Sequence, residues 1–219
     1  MKRLILILNI YTCVCIFTSC VKEKQQQTNN PTNNATYVYM YDYFKPYMFE
    51  AGSYWVYEND TTSILDSVVV TSNQRGFDTI YSAHPFQMYY AEFYTVNFHD
   101  FLDSSDYFEV LSVYVNNYML RKVPNQFGNQ PILFFGSPIG TSYSGCTLLD
   151  SIPSTNINSH IFTNVIKMKI TAAQEPLPRQ FNHDTYLYFK DSIGLIKTEI
   201  DTGTGIVESW SLKRWSIKL

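Results

Sequence analysis

The chain has 219 residues, a formal net charge of −3 and 16% aromatic residues, carried by 18 Tyr, 15 Phe and 3 Trp. Its cations are scattered and form no basic face, which excludes the usual footprint of a nucleic-acid binder. The length suffices for one domain with a real core, and abundant large rings suit half-buried pleated surfaces, so the expectation is a β-rich body.

At the N-terminus, Met1-Lys2-Arg3 is a positive head, followed by Leu4 to Phe17, apolar except for Asn9, Tyr11 and Thr12. This is the layout of a secretory signal, and the run falls short of the roughly 20 apolar residues of a membrane-spanning helix. It closes on Phe17-Thr18-Ser19-Cys20. That tetrapeptide resembles the lipobox of bacterial lipoproteins, an apolar residue and two small ones before the cysteine that takes the lipid. The resemblance implies cleavage before Cys20 and acyl chains on Cys20, so that the mature chain is held at a membrane. Val21 follows the cysteine, where inner-membrane retention favours an acidic residue, so the expected location is the outer membrane. The Lys-Glu-Lys at positions 22–24 is no acidic run and favours the periplasmic side. Of the four cysteines, Cys13 and Cys15 leave with the signal and Cys20 is committed to lipid. Cys146 is then alone, and the mature fold has no internal disulfide available.

Residues 21–36, VKEKQQQTNNPTNNAT, offer almost nothing to bury and read as a polar tether. The expected organisation is therefore a signal peptide over 1–19, a lipidated Cys and tether over 20–36, and one antiparallel β domain over 37–219. Within the body, Phe86 to His99 gives the cleanest alternation. Phe86, Met88, Tyr90, Tyr94, Val96 and Phe98 share one face, broken only by Glu92. Ile161 to Ala172 repeats it, with Phe162, Ile166, Met168 and Ile170 inside. Shorter strands are expected over 53–58, 64–71, 108–115, 132–135, 185–190 and 195–200. The last, 206–219, should carry a bulge between Leu212 and Trp215, where its apolar phase shifts. Asn73 to Gly76 and Asp201 to Gly205 read as hairpin turns, and Asp100 to Tyr107 as a short helical turn capped by Asp103 or Ser104. Segments 124–131, 136–145 and 175–183 read as loops. The fold class is all-β: a single curled antiparallel sheet, or a partly open barrel or sandwich, with at most short helical turns.

Two stretches carry a further resemblance. Gly52-Ser53-Tyr54-Trp55-Val56-Tyr57 with Asp66 to Val70, and Tyr188, Gly194-Leu195-Ile196-Lys197 and Trp210-Ser211-Leu212, are similar to the opening and closing patterns of a group of uncharacterised β-rich bacterial lipoproteins. The similarity covers the two ends of the body and implies a fold, with no mechanism attached.

The chemistry-bearing residues form no catalytic set in sequence. Asp201-Thr202-Gly203 matches the aspartic-protease triplet but has no second copy to share a proton with, and it sits at an expected turn. His84, His99, His160 and His183 lack metal-ligand spacing, and Ser137 and Ser144 lack the nucleophile elbow. Asp100, Asp103 and Asp106 are close together without the glycine of a calcium loop. No glycine-rich phosphate loop is present, so no cofactor is implied. What remains is the aromatic sheet, with a ligand-binding face expected at Tyr90, Tyr94 and Phe98. The functional expectation is a membrane-anchored lipoprotein with a non-enzymatic binding or envelope-structural β domain. Its partners would be the membrane through the lipid, and an envelope protein, a glycan or a hydrophobic ligand. The alternatives are a carrier of a hydrophobic ligand in a β cavity, and a glycan-binding or hydrolytic surface protein. A hydrolase would bring His99, His183, Asp100 and Asp184 into one cleft. A glycan binder would show exposed rings side by side.

Overall fold

Strand follows strand along the body because short alternating apolar runs are joined by tight, turn-forming segments. The computed structural model describes residues 36–83, 86–112, 118–122, 130–134, 136–143, 145–171 and 183–219. They form β1 (Thr36–Val38), a 3-10 helix (Asp42–Tyr47), β2 (Tyr54–Asn59), β3 (Leu65–Ala83), β4 (Phe86–Asp100), β5 (Ser105–Ser112) and β6 (Tyr118–Lys122). These are followed by β7 (Gln130–Phe134), β8 (Ser142–Tyr143), β9 (Cys146–Ile157), β10 (His160–Ile170), β11 (Asp184–Lys190), β12 (Gly194–Asp201) and β13 (Ile206–Ser216).

All thirteen strands belong to one sheet, ordered β7-β6-β5-β4-β3-β2-β13-β12-β11-β10-β9-β8, with β1 paired to β4 off this path. The sheet is a curled, open half-barrel, and β7 comes close to β9 and β10 across its concave side. Apart from β1, which runs parallel to β4 through Thr36↔Tyr89 to Val38↔Ala91, every pairing is antiparallel. The expected all-β class is what the chain adopts.

The core fills the concave face. Trp55, Val70, Val96, Phe98, Leu111, Met119, Met168, Leu187, Phe189, Ile196 and Leu212 are all buried there. Burying a side chain of this kind contributes roughly 1.5–3 kcal/mol. One end is closed by the 3-10 segment, whose Phe44 and Tyr47, with Phe49 just after it, insert into the curl. The Tyr47 hydroxyl donates to Asp191 Oδ1 at 2.6 Å and the Tyr94 hydroxyl donates to the Phe49 carbonyl at 3.1 Å, which pins the plug to the sheet. Gly194 makes room for it: its φ is +90° and a Cβ there would stand 3.2 Å from the Phe49 ring.

Four expectations about local structure are corrected. The Asn73–Gly76 segment does not turn. β3 runs straight through it, because Gly76 lies under the Phe93 ring of its register partner and Arg75 reaches Glu92 on β4. Asp100 to Tyr107 forms no helical turn; residues 101–104 are a tight β-turn whose amides at Leu102 and Asp103 donate to the Asp100 carboxylate. Segment 136–145 is not wholly loop, since it contains β8. Finally, β10 buries Val165 together with the expected Phe162, Met168 and Ile170, while Ile166 is only half-buried. The register against β9 shifts between Lys167 and Met168, next to the half-buried Ile166 and Lys167. The shift expected near the end of β13 is present between Leu212 and Arg214.

The outward face of β10 to β12 is covered differently. Tyr186 and Tyr188 alternate with buried Leu187 and Phe189, and the Lys167 ammonium lies 4.7 Å and 4.9 Å from the centroids of the two tyrosine rings. Lysine stems therefore roof this second aromatic face, in the way long cationic side chains cover apolar surface.

Candidate binding groove

Strands β2 to β6 and β11 to β13 curl around a groove of about 110 Å³. The ring-bearing residues Phe49, Trp55, Phe98, Tyr107, Phe189 and Trp210 line it, together with Val68, Met119 and Thr198. The pleat explains the set: Trp55, Val68, Phe98 and Tyr107 are neighbouring-strand positions that all fall on the concave side. Phe98 and Tyr107 are register partners and their rings stack at 4.9 Å and 10°. The polar tips of the wall rings are spoken for. Trp55 Nε1 donates to the Ile193 carbonyl, the Tyr57 hydroxyl to the Leu195 carbonyl, and Trp210 Nε1 to Glu208. What they present to the groove is ring surface.

Three carboxylates also line it, Asp66, Asp100 and Glu109, each less than a tenth exposed. Asp66 and Asp100 both accept the Leu102 amide, at 3.2 Å and 3.0 Å. They therefore hold the β4–β5 turn and face the groove at once. Glu109 stands opposite Arg121 in the strand register.

The structure distributes the expected ligand-binding residues unevenly. Phe98 is in the groove wall. Tyr94 is buried two same-face positions further along, past Val96, where its hydroxyl holds the plug. Tyr90 lies beyond the groove, stacked on Tyr37 at 5.0 Å. The groove residues that sequence reasoning missed are Trp55, Tyr107 and Trp210 with the three acids. A signal was present: Asp66, Asp100 and Glu109 each occupy the apolar phase of a strand, in step with Val68, Phe98 and Tyr107, where an acid is out of place unless something answers it.

The hydrolytic alternative loses its geometry. His99 pairs with Asp106 on the neighbouring strand, Nδ1 to Oδ1 2.8 Å, at an exposed position. Asp184 is engaged by Lys169 Nζ at 2.5 Å on β11, and four strands separate β11 from β4 in the sheet. His99 and Asp100 therefore do not meet His183 and Asp184 in one cleft. Asp201 accepts the amides of Gly203 and Gly205, so the Asp-Thr-Gly triplet is a hairpin turn. Cys146 is fully buried and burial pushes its thiol up to about 12, which makes it a core residue rather than a nucleophile. His84 and Ser144 lie outside the described residues. Among the described residues, no three His, Cys, Asp or Glu side chains are placed to hold a metal ion.

Compared with known proteins, the chain matches no family model and no curated protein.

Proposed function

We propose that the protein is a non-enzymatic binding module of the cell envelope, held at the outer membrane by lipid on Cys20. Its groove receives one side group of a partner protein, apolar along its length and positively charged at its tip, as in Lys or Arg. The observation that carries this is the groove itself, walled by aromatic rings and lined as well by Asp66, Asp100 and Glu109. Ring faces and acids together favour an organic cation with an apolar stem. Size favours this over a carrier. A groove of 110 Å³ is smaller than the roughly 150 Å³ cavity that accommodates a benzene, and well below the roughly 300–1,000 Å³ of small-molecule pockets. That size favours a side chain over a whole lipid.

A photo-reactive phenylalanine analogue at Thr198, on the half-buried edge of the groove, tests the reading in intact cells. The expected result is one discrete cross-linked protein that disappears when Val68→Trp fills the groove, with near-ultraviolet circular dichroism confirming that the filled variant is folded. Cross-links unaffected by Val68→Trp would reject the groove as the contact. The anchor is tested separately: Cys20→Ala should lose its acyl mass and most of its sedimentation with envelopes.

A further inference from the structure

β3 and β4 are longer than the sheet around them, and their far ends, with β1 laid alongside, form a three-stranded arm beyond the last residue pair of β5. One face of this arm is aromatic and open. Tyr37, Tyr39, Phe77 and Tyr81 are 50%, 56%, 40% and 64% exposed. The rings are pre-arranged rather than loose: Tyr37 stacks on Tyr90, and Phe77 stands edge-on to Tyr37 at 5.3 Å and to Tyr39 at 5.6 Å. The one acid on this face, Glu92, is buried, with Arg75 and the Met40 amide bonded to it. A contiguous patch of ordered rings on open surface marks an interaction site.

We propose that this arm seats its tyrosine face in the headgroup layer of the membrane beside the lipid anchor, an inference that rests on the anchored reading above. The occupant follows from where the chain arrives. β1 is the first described strand, and only residues 21–35 separate it from Cys20. A polar coil of that length reaches about 20–25 Å. The turns at 60–64, 101–104 and 202–205 close the opposite end of the sheet, a further ~35 Å along β4 at about 3.3 Å per residue. The arm is thus the part of the body nearest the bilayer. A ring with a wet hydroxyl tip is the side chain that interfaces favour. Seating the arm orients the body, turning the groove end away from the lipid and toward a partner.

The test uses the mature chain with Cys20→Ala, so that no acyl group contributes, and vesicles of phosphatidylethanolamine and phosphatidylglycerol with brominated acyl chains. Tyr39→Trp on the arm should be quenched beyond the native tryptophan background, and Phe101→Trp at the opposite end should not. Tyr37→Ser with Phe77→Ser should lower vesicle partition about tenfold, the effect of removing two half-buried rings. Equal quenching at both ends, or no partition, would overturn the proposal. So would retention of the chain on purified peptidoglycan that depends on the same two rings, which would make the arm a glycan site. Mass spectrometry of the native chain separates the two readings. An acylated protein with an unquenched Tyr39→Trp refutes the arm alone, and an unacylated one whose arm still partitions refutes the anchor alone.

Discussion

Tyr90 and Phe98 stand on the same face of β4, yet one belongs to the open arm and the other to the wall of the groove. Their strand, their pleat and their aromatic character are shared; what differs is the cover. Around Phe98 both β3 and β5 flank the strand, and Trp55 and Tyr107 pack against its ring, with Phe49 beside Trp55. Around Tyr90 the described neighbours of β4 are β1 and β3, and the rings of Tyr37 and Phe77 cover one another while leaving much of their surface exposed. Alternation fixes which face a ring joins. The number of strands alongside decides whether that face becomes core or contact surface.

The comparison can be broken most sharply at the groove. Trp55→Ala removes a buried ring that touches Phe49 and Phe98 and should lower stability in chemical denaturation by about 3–5 kcal/mol. Next comes the hinge between the two regions. Glu92→Ala leaves Arg75 and the Met40 amide without their acceptor, and should cost about 1–3 kcal/mol. The same change should speed hydrogen exchange at β1 ahead of the rest of the sheet; uniform acceleration would show that β1 is not held by this clasp. A smaller, pH-dependent effect belongs to Glu199. Burial pushes its carboxyl up, but the bonds from Lys197 Nζ at 2.7 Å and the Tyr188 hydroxyl at 2.6 Å outweigh that and hold it below the ordinary range. A carboxyl held low in the folded state stabilises above its unfolded pKa and loses that contribution as pH falls through the folded value. Glu199→Gln should therefore flatten the acid side of a stability-against-pH curve, modestly, because the carboxylate keeps some contact with solvent. Smallest of all, Tyr39→Ser on the arm should shift stability by no more than about 0.5 kcal/mol in either direction, as expected of a side chain kept for contact rather than for the core.

Much of the sheet was legible in the sequence because its longest strands alternate cleanly. β4 lies within one residue of the span its pattern marks, and the late bulge of β13 is visible as a phase slip. The strands that escaped notice had reasons to. β9 carries Pro153 and several polar residues, and beyond Leu148 it has β10 alone as a hydrogen-bonded neighbour, so proline is tolerated there. The straight run of β3 through Asn73 to Gly76 was hidden because turn-forming residues sit in it, and a glycine under a cross-strand ring reads the same as a glycine in a turn. The groove was half legible. Phe98 could be placed by its period, but which rings face it across the curl depends on the closure of the sheet, which no local pattern records. The three in-phase acids were its nearest visible mark.

The short pairing of β1 with β4 has a mechanical side. Thr36 to Val38 lie parallel to their partners, so a pull arriving lengthwise through the preceding residues loads the three residue pairs together instead of peeling them in turn. Behind them the Met40 amide is fastened to Glu92. The pairing thus takes such a load ahead of the plug of Phe44 and Tyr47, which follows it in the chain.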